Sequence, residues 1–310
     1  MKFVFTVALT ILLISTSFLG FQLWKNLPRE REILNLNLNF KQTPPNISAP
    51  SDITQFEKNM RFSHTDLTYF ISENCNEKQR ERMIKAFFIL EEKTQILFFL
   101  ESDYNKKENA TIKISCSEEE LKKEKNLFVA GGGGPSKFFN TTLYPLILEG
   151  KIFLYKSSNC EQPLVELHEL LHVFGFEHYD NKNSVMYPLS DCKQELEEEY
   201  IDYLKKLYSI PSLADIYFSN ISASKAGRYL NFEVEILNQG LISSQVSLEI
   251  FADDKKVKSF ELNEIQPGEG KVFTVDNLAL PSPNSKDIEF QLFSSSEEYS
   301  KENNILRANV

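Results

Sequence analysis

The sequence has few histidines, tryptophans and cysteines, and no stretch rich in basic residues. Its 310 residues include 4 His, 1 Trp and 4 Cys, and 34 Lys and Arg stand against 44 Asp and Glu, for a net charge of -10. A protein that grips nucleic-acid phosphates needs a basic patch, so no nucleic-acid partner is expected. The low counts of Gly (11) and Pro (12) exclude collagen-like and low-complexity chains. The length predicts one large or two modest domains.

The four cysteines point to disulfides rather than to a zinc ribbon. They are Cys75, Cys116, Cys160 and Cys192, and no two of them form a Cys-x-x-Cys pair. An even number of cysteines outside the cytoplasm can form two disulfides. We favour the pairs Cys75–Cys116 and Cys160–Cys192, although the sequence allows three pairings. Four buried thiols in a reducing compartment are the alternative.

The one long apolar run lies at the N-terminus. Residues 3–24 contain no charged residue. A helix needs about 20 apolar residues to cross a bilayer, whereas the apolar centre of a signal peptide has about 7–15. We therefore predict that residues 1–24 are a transmembrane signal anchor, with a cleaved signal peptide and a secreted chain as the alternative. Residues 25–60 are predicted to be a linker or a short pro-segment, and the rest of the chain to lie outside the cytoplasm.

Residues 61–210 show a mixed α/β pattern. Asn76 and Gln79 can form a capping box before a helix whose apolar residues recur at helical spacing. The Gly131–Gly134 run, closed by Pro135, is predicted to be a loop. The remaining elements are predicted as strands at 67–71, 96–100, 111–115, 127–130 and 143–155, and as helices at 163–175 and 193–208.

Residues 211–310 change to period two. Leu230, Phe232, Val234 and Ile236 alternate with polar residues, and turn signals separate six or seven short strands. This pattern predicts an all-β immunoglobulin-like sandwich. Its strand spacing and its Glu302-Asn-Asn ending resemble the CARDB family of adhesion-related domains, which implies a module that is available for a surface partner.

The chemistry is concentrated at residues 168–178. His168 and His172 are four residues apart, so a helix places both imidazoles on one face, at a spacing suited to one zinc ion. Gly175 permits a sharp turn that brings His178 to the same ion. Three imidazoles leave one position of the zinc open for water. Glu169, beside the first ligand, is placed to act on that water as a general base.

The pattern His-Glu-x-x-His-x-x-Gly-x-x-His resembles the metzincin clan of zinc peptidases. Downstream, Met186 stands in a Met-Tyr-Pro sequence that is similar to the Met-turn of matrixins. The resemblance implies an α+β domain with a mixed sheet and helices, a Met186 side chain beneath the metal, and Tyr187 and Pro188 at the substrate pocket. It also implies an edge strand that pairs with substrate, expected at 143–155. The matrixin cysteine switch has no counterpart in residues 25–60.

These observations predict a zinc-dependent endopeptidase with one catalytic Zn²⁺, acting on protein or peptide and attached to the membrane by its N-terminal helix. Calcium is left open by the sequence. One alternative is an inactive surface binding or adhesion protein on the same scaffold. Another is a zinc hydrolase with a non-peptide substrate. The simplest alternative is a core helix whose histidines only form hydrogen bonds, but such a helix gives no reason to gather three of four histidines.

Overall fold

A computed structural model gives the structure of the chain, and it describes residues 2–26, 31–36, 38, 53–117, 129–141, 143–155 and 160–309. The chain divides into two compact units. One comprises Gln42–Ala214 with Gln239–Ile242, and is called the α+β unit below. The other comprises Met1–Lys41, Asp215–Asn238 and Ser243–Val310, and is called the sandwich unit.

The N-terminal apolar run forms helix α1, Lys2–Asn26. Within the described ranges, no helix combines the length and the apolar character that crossing a membrane requires. The transmembrane helix expected at residues 1–24 is therefore not found in this structure.

The α+β unit is built on a six-stranded mixed sheet. Strands β3, β4, β5 and β7 are mutually parallel in the order β4-β3-β5-β7, the short β2 runs parallel to the first part of β7, and β6 is antiparallel to β7. The strands are β2 (Arg61–Phe62), β3 (Asp66–Ile71), β4 (Phe98–Glu101), β5 (Ile112–Cys116), β6 (Gly131–Asn140) and β7 (Pro145–Leu154). Strands β3 and β5 of this sheet bury every second residue, because successive side chains of a strand point to opposite faces of the sheet.

Two expectations for this sheet were wrong. Gly131–Gly134 and Pro135 are not a loop but the first half of β6, paired residue by residue with Leu154–Gly150. The strand expected to be the edge, at 143–155, is β7, which has β6 on one side and β2 and β5 on the other. Among the described residues β6 pairs with β7 alone and is the edge. Glycine has a low strand propensity, so the extended conformation of Gly131–Gly134 is stabilised by pairing with β7 rather than by the local sequence. Residues 127 and 128 of the strand expected at 127–130 lie outside the described ranges.

Three helices complete the unit: α2 (Glu77–Thr94), α3 (Leu164–Val173) and α4 (Glu198–Tyr208), and a 3-10 helix spans Tyr104–Asn109. The capping box predicted for α2 is confirmed, because Asn76 accepts from the Gln79 amide and Gln79 reaches back to the Asn76 amide. The predicted apolar face of α2 is buried, at Met83, Ala86, Phe87 and Leu90. Helix α4 begins later than the expected residue 193.

A buried ion pair fixes α3 to α2. The Arg82 guanidinium lies 3.0 Å from a carboxylate oxygen of Glu166, whose side chain is almost fully buried. The same guanidinium donates to the carbonyls of Cys160 and Gln162, at 2.8 and 2.7 Å. Breaking a buried pair of this kind typically costs about 3–5 kcal/mol, because one charge is left uncompensated. Arg82 therefore holds both the first turn of α3 and the chain that leads into it.

A second charge cluster holds the middle of edge strand β6 to the sheet. Glu149 on β7 is buried, and its carboxylate accepts from Lys113 at 2.7 Å, from Ser136 at 2.9 Å and from Lys137 at 3.2 Å. Burial alone would raise the pKa of Glu149, but these hydrogen bonds and the charge of Lys113 outweigh it and lower the pKa to about 2. The ionised carboxylate thus ties β5, β6 and β7 together.

This cluster predicts a pH-dependent stability. Because the folded-state pKa of Glu149 lies below its ordinary value of 4.5, its contribution is complete above that value and is lost as the pH falls toward about 2. We expect Glu149→Gln to lower the free energy of unfolding by about 2 kcal/mol at neutral pH. The difference from the unmutated chain should vanish near pH 2. Chemical denaturation across this range measures it, with Glu92→Gln, an exposed position of α2, as the control. A difference independent of pH would contradict the role of the charge.

The sandwich unit consists of two antiparallel four-stranded sheets, in the orders β1-β8-β9-β12 and β11-β10-β13-β14. The strands are β1 (Glu32–Ile33), β8 (Ile216–Ala226), β9 (Tyr229–Asn238), β10 (Ser244–Ala252), β11 (Lys255–Ile265), β12 (Gly270–Ala279), β13 (Asp287–Ser294) and β14 (Ile305–Asn309). The predicted period-two residues Leu230, Phe232, Val234 and Ile236 are buried, and rings from the two sheets meet, with Phe232 and Phe290 centred 5.2 Å apart. A 3-10 helix at Glu302–Asn304 precedes the last strand.

Part of the expected linker belongs to this sandwich. Glu32 and Ile33 pair with Lys225 and Ser224 of β8, and Leu34 is buried in the core at 5% exposure. The leucines at 34, 36 and 38 recur with period two, and all three pack against the same core. Strand β1 and the leucines at 34, 36 and 38 therefore belong to the sandwich, whereas residues 39–52 of the predicted linker lie outside the described ranges.

Candidate metal centre

Helix α3 carries the first two histidines on one face. His168 and His172 are one turn apart, and their Nε2 atoms are 3.0 Å apart. After Val173 the chain turns through Gly175, whose φ of 85° is a left-handed conformation that glycine adopts without strain. The turn returns His178, and its Nε2 lies 3.3 Å from the Nε2 atoms of both other histidines. The three predicted ligands thus meet at one point.

The tautomers of two imidazoles are fixed by backbone carbonyls. His168 Nδ1 lies 2.7 Å from the Val185 carbonyl oxygen, and His172 Nδ1 lies 2.6 Å from that of Phe176. A carbonyl only accepts, so each Nδ1 carries the proton and each Nε2 presents a lone pair to the meeting point. Converging lone pairs repel one another unless a cation lies between them. Zinc–nitrogen bonds of 2.0–2.1 Å in a tetrahedron place nitrogens about 3.3 Å apart, which matches the observed spacing.

The electrostatics favour neutral, metal-binding imidazoles. Burial lowers the pKa of His168 to about 4, against the opposing hydrogen bond to Val185, and the neighbouring imidazoles lower it further. Burial also lowers the pKa of His172. Both rings are therefore unprotonated at neutral pH, which is the state that binds a metal ion. The fourth histidine, His64, is exposed and bonds to Ser63, apart from this group.

Glu169 lies next to the first ligand and is 5% exposed. Burial, together with the nearby Glu166 carboxylate, raises the pKa of its carboxyl to about 8. Glu169 and the three histidines line one open cavity of about 570 Å³. The other walls are the start of β6, the start of α3 and the segment after residue 184, contributed by Val129, Ala130, Gly131, Gly132, Gly133, Leu164, Val165, Val185, Tyr187, Pro188, Leu189, Ser190 and Gln194.

The segment predicted to be a Met-turn lies against the metal-binding group. Met186 is fully buried, its amide donates to the Ser184 hydroxyl, and its carbonyl accepts from the amide of Tyr179, directly after His178. The preceding Val185 carbonyl is the one that holds His168. Tyr187 and Pro188 line the cavity, as expected of substrate-pocket residues. The turn therefore holds the first and third histidines through backbone groups.

Two disulfides brace the unit, with the pairing that the sequence favoured. Cys75–Cys116 joins the start of α2 to the end of β5, and Cys160–Cys192 joins the chain before α3 to the chain after Pro188. Each closes a loop of a length for which cross-linking stabilises by about 3–4 kcal/mol. The second bridge connects the two segments that flank the cavity.

Sequence reasoning missed the segment Ile53–Met60, called the strap below. Its Gln55 amide donates to the carbonyls of Phe174 and Met60, both at 2.8 Å, and its amide oxygen accepts from the Tyr203 hydroxyl. Thus one side chain ties the end of α3 to α4. The segment's only sequence signal is the apolar residue at each end, Ile53 and Met60, both buried. Local patterns could not show that it packs on the metal-binding helix.

The strap also reaches the ligands. The Phe56 amide donates to the Gly175 carbonyl at 2.8 Å, and the Thr54 carbonyl accepts from the amide of Glu177 at 2.9 Å. The Phe56 ring is stacked on His172, with centroids 6.2 Å apart and planes 14° apart. The strap therefore supports both the glycine turn and one imidazole.

This support predicts a loss of metal affinity when it is removed. Groups that orient metal ligands from outside typically contribute 10- to 100-fold to affinity. We expect Phe56→Ala to weaken zinc binding about 10-fold, measured by competition with a chromophoric chelator. Phe88→Ala is the matched control, since Phe56 and Phe88 are 47% and 60% exposed and Phe88 lies on α2. Equal affinity in the two variants would show that the ring does not support His172.

Comparison with known proteins agrees with this arrangement. Residues 61–209 match the family model described as Matrixin. No curated protein matches the chain. Among solved structures, one that matches is the crystal structure of the CARDB domain of the PF1109 protein from Pyrococcus furiosus in complex with di-metal ions. It is 16% identical, covers 32% of this chain and 87% of its own, and superposes with a TM-score of 0.26.

A TM-score of 0.26 is too low to support an argument about the fold. The sandwich fold of the second unit is therefore inferred from the strand pairing of this chain alone. The Matrixin match begins at the first residue of β2 and ends just after α4, so it spans the sheet, the three histidines and the Met186 turn. This match confirms the resemblance to matrixins that the histidine pattern and the Met-Tyr-Pro sequence indicated for this part of the chain.

Proposed function

We propose that the chain is a zinc-dependent endopeptidase in which His168, His172 and His178 hold the metal and Glu169 is the general base. The observation that carries the proposal is the meeting of three Nε2 atoms, 3.0–3.3 Å apart, beside a buried carboxylate in an open cavity. The matrixin match supports a metallopeptidase in general. The identity of the metal as zinc, the role of Glu169 and the endopeptidase activity are what we propose beyond that match.

The residues divide the chemistry between them. Bound to the three imidazoles, a Zn²⁺ ion would lower the pKa of a water molecule to about 7 and polarise a peptide carbonyl. Glu169 then takes the proton from the attacking water and delivers it to the nitrogen of the leaving amine. Its carboxyl must be ionised to begin this cycle. The pKa of about 8 reflects the site without a cation, and a neighbouring divalent charge lowers it.

The substrate is best accommodated as an extended peptide. The start of β6, Gly131–Gly133, borders the cavity and lies at the sheet edge, where backbone groups can pair with an added strand. Tyr187 and Pro188 line the same cavity, where they can contact a substrate side chain. An edge strand and a pocket in one cavity favour a peptide over a non-peptide substrate.

The test is cleavage of a denatured, fluorophore-labelled protein by the full chain, with and without a zinc chelator. We expect Glu169→Gln to lower kcat by about 100- to 10,000-fold while zinc stays bound at one ion per chain, because only the proton transfer is lost. Glu161→Gln, an exposed position just before α3, is the control and should cleave normally.

Each other outcome has a distinct meaning. Folded protein without zinc would overturn the metal centre. Zinc binding without cleavage of any denatured protein would overturn the endopeptidase and favour the surface binding protein as the alternative. Cleavage that survives Glu169→Gln would overturn the role of Glu169 alone.

We propose further that the chain works outside the cytoplasm. All four cysteines are paired, and disulfides persist in oxidising compartments. Alkylation of the protein from intact cells should label no thiol before reduction. Labelling of all four cysteines would overturn the proposed compartment. Sedimentation of the exported protein with membranes or its release to the medium then tells whether residues 1–24 keep it attached.

A further inference from the structure

The four consecutive glycines of β6 face two different environments. Successive residues of a strand point to opposite faces, so Gly131 and Gly133 point one way and Gly132 and Gly134 the other. A Cβ atom added to Gly131 would lie 2.7 Å from Glu169 Oε1, and one added to Gly133 would lie 2.3 Å from the Glu169 backbone oxygen. A Cβ at Gly132 or Gly134 would meet nothing within 4 Å. Two of the four glycines are therefore required by contact with one residue of α3.

The two contacts differ in kind. At Gly133 the obstacle is the backbone of α3, whose carbonyl carbon and Cα would lie 2.9 and 3.0 Å from the added atom. This glycine lets the edge strand approach the helix. At Gly131 the obstacle is the side chain, since Glu169 Cγ and Cδ would lie 2.8 and 3.0 Å away. The absence of a side chain at Gly131 leaves the space that the Glu169 side chain occupies. Side-chain atoms can move aside, whereas the helix backbone cannot.

A run of glycines is costly in a strand. Each glycine is destabilising relative to alanine, because it has more conformational freedom to lose and no side chain to pack. The run is nevertheless paired along its length with β7. The cost at positions 131 and 133 is explained by the approach to Glu169, and the geometry at 132 and 134 does not require glycine.

We propose that Gly131 and Gly133 are positioning residues that fix the Glu169 carboxylate. Gly133 sets the distance between β6 and α3, and Gly131 leaves room for the Glu169 side chain. The proposal rests on the function proposed for Glu169 above. A methyl group at position 131 displaces the carboxylate by the order of 1 Å, and a shift of that size at a reacting group can cost on the order of 100-fold in rate. The three atoms nearest to the Cβ added at position 131 all belong to the Glu169 side chain, so we expect the Gly131→Ala chain to keep its metal affinity.

The first experiment tests the contacts of Gly131 and Gly133 with Glu169 by a measurement that does not depend on enzymatic activity. Hydrogen exchange of the α3 amides is measured in the full chain for Gly131→Ala, Gly133→Ala and Gly134→Ala, each with Glu169 and with Glu169→Ala. Gly131→Ala should reduce protection of α3, and Glu169→Ala should restore most of it, because the obstacle is the Glu169 side chain. Gly133→Ala should reduce protection equally in both backgrounds, because its obstacle is backbone. Gly134→Ala is the matched control and should change nothing.

The second experiment measures how Gly131→Ala changes the rate at which the chain cleaves the denatured-protein substrate. Gly131→Ala should lower kcat on the order of 100-fold with KM and zinc affinity unchanged. Glu169→Asp, one methylene shorter, should lose much less activity in the Gly131→Ala chain than in the unmutated one, since the shorter arm avoids the added methyl group. A merely structural role for Gly131 would give equal losses in both.

The outcomes separate this inference from the proposed function. Equal loss of protection for Gly131→Ala with and without Glu169 would overturn it, as would a Gly131→Ala chain that cleaves normally. If Gly131→Ala does not fold but folds together with Glu169→Ala, the contact is supported; if neither folds, it is overturned. An unmutated chain that binds zinc without cleaving would overturn the function and leave the hydrogen-exchange result to decide the positioning.

Discussion

The arrangement of the α+β unit depends on one electrostatic constraint: three imidazole Nε2 atoms meet within 3.0–3.3 Å of one another. Such a group holds together only if each ring is kept in place from its other side and a cation balances the lone pairs. The carbonyls of Val185 and Phe176 supply that hold for His168 and His172. Both carbonyls belong to segments outside α3, so the metal centre is only as rigid as the chain that surrounds the helix.

Several contacts make that surrounding chain rigid. The strap bonds to the turn at Gly175, and the Cys160–Cys192 disulfide joins the two ends of the segment that contains α3 and the Met186 turn. Arg82 fixes the first turn of α3 through Glu166. These contacts act at the first turn of α3, at the turn that follows the helix and on the chain that flanks it. A helix held in this way can present a reactive face to solvent without losing its position.

The buried carboxylates of the unit show how the environment assigns roles to one type of side chain. Glu149 is surrounded by lysines that lower its pKa to about 2, and Glu166 is paired with Arg82. Glu169 is buried beside Glu166, and its pKa rises to about 8. The first two pair with cationic side chains of the protein and brace the fold. The third lines the cavity beside the three histidines, the position from which we propose that it acts as a general base.

The sequence alone determined the features that depend on near neighbours along the chain. The four-residue spacing of His168 and His172, the glycine turn and the period-two strands follow from the geometry of single elements, and even the favoured cysteine pairs joined nearby segments. Only the tertiary structure decided the contacts between distant segments: β6 as an edge strand, Glu149 bonded to Lys113 and Lys137, the strap on α3 and the strand at 32–33 in the sandwich. Glycine runs and short polar segments carry no periodicity of their own, so their conformation is set by the partners against which they fold.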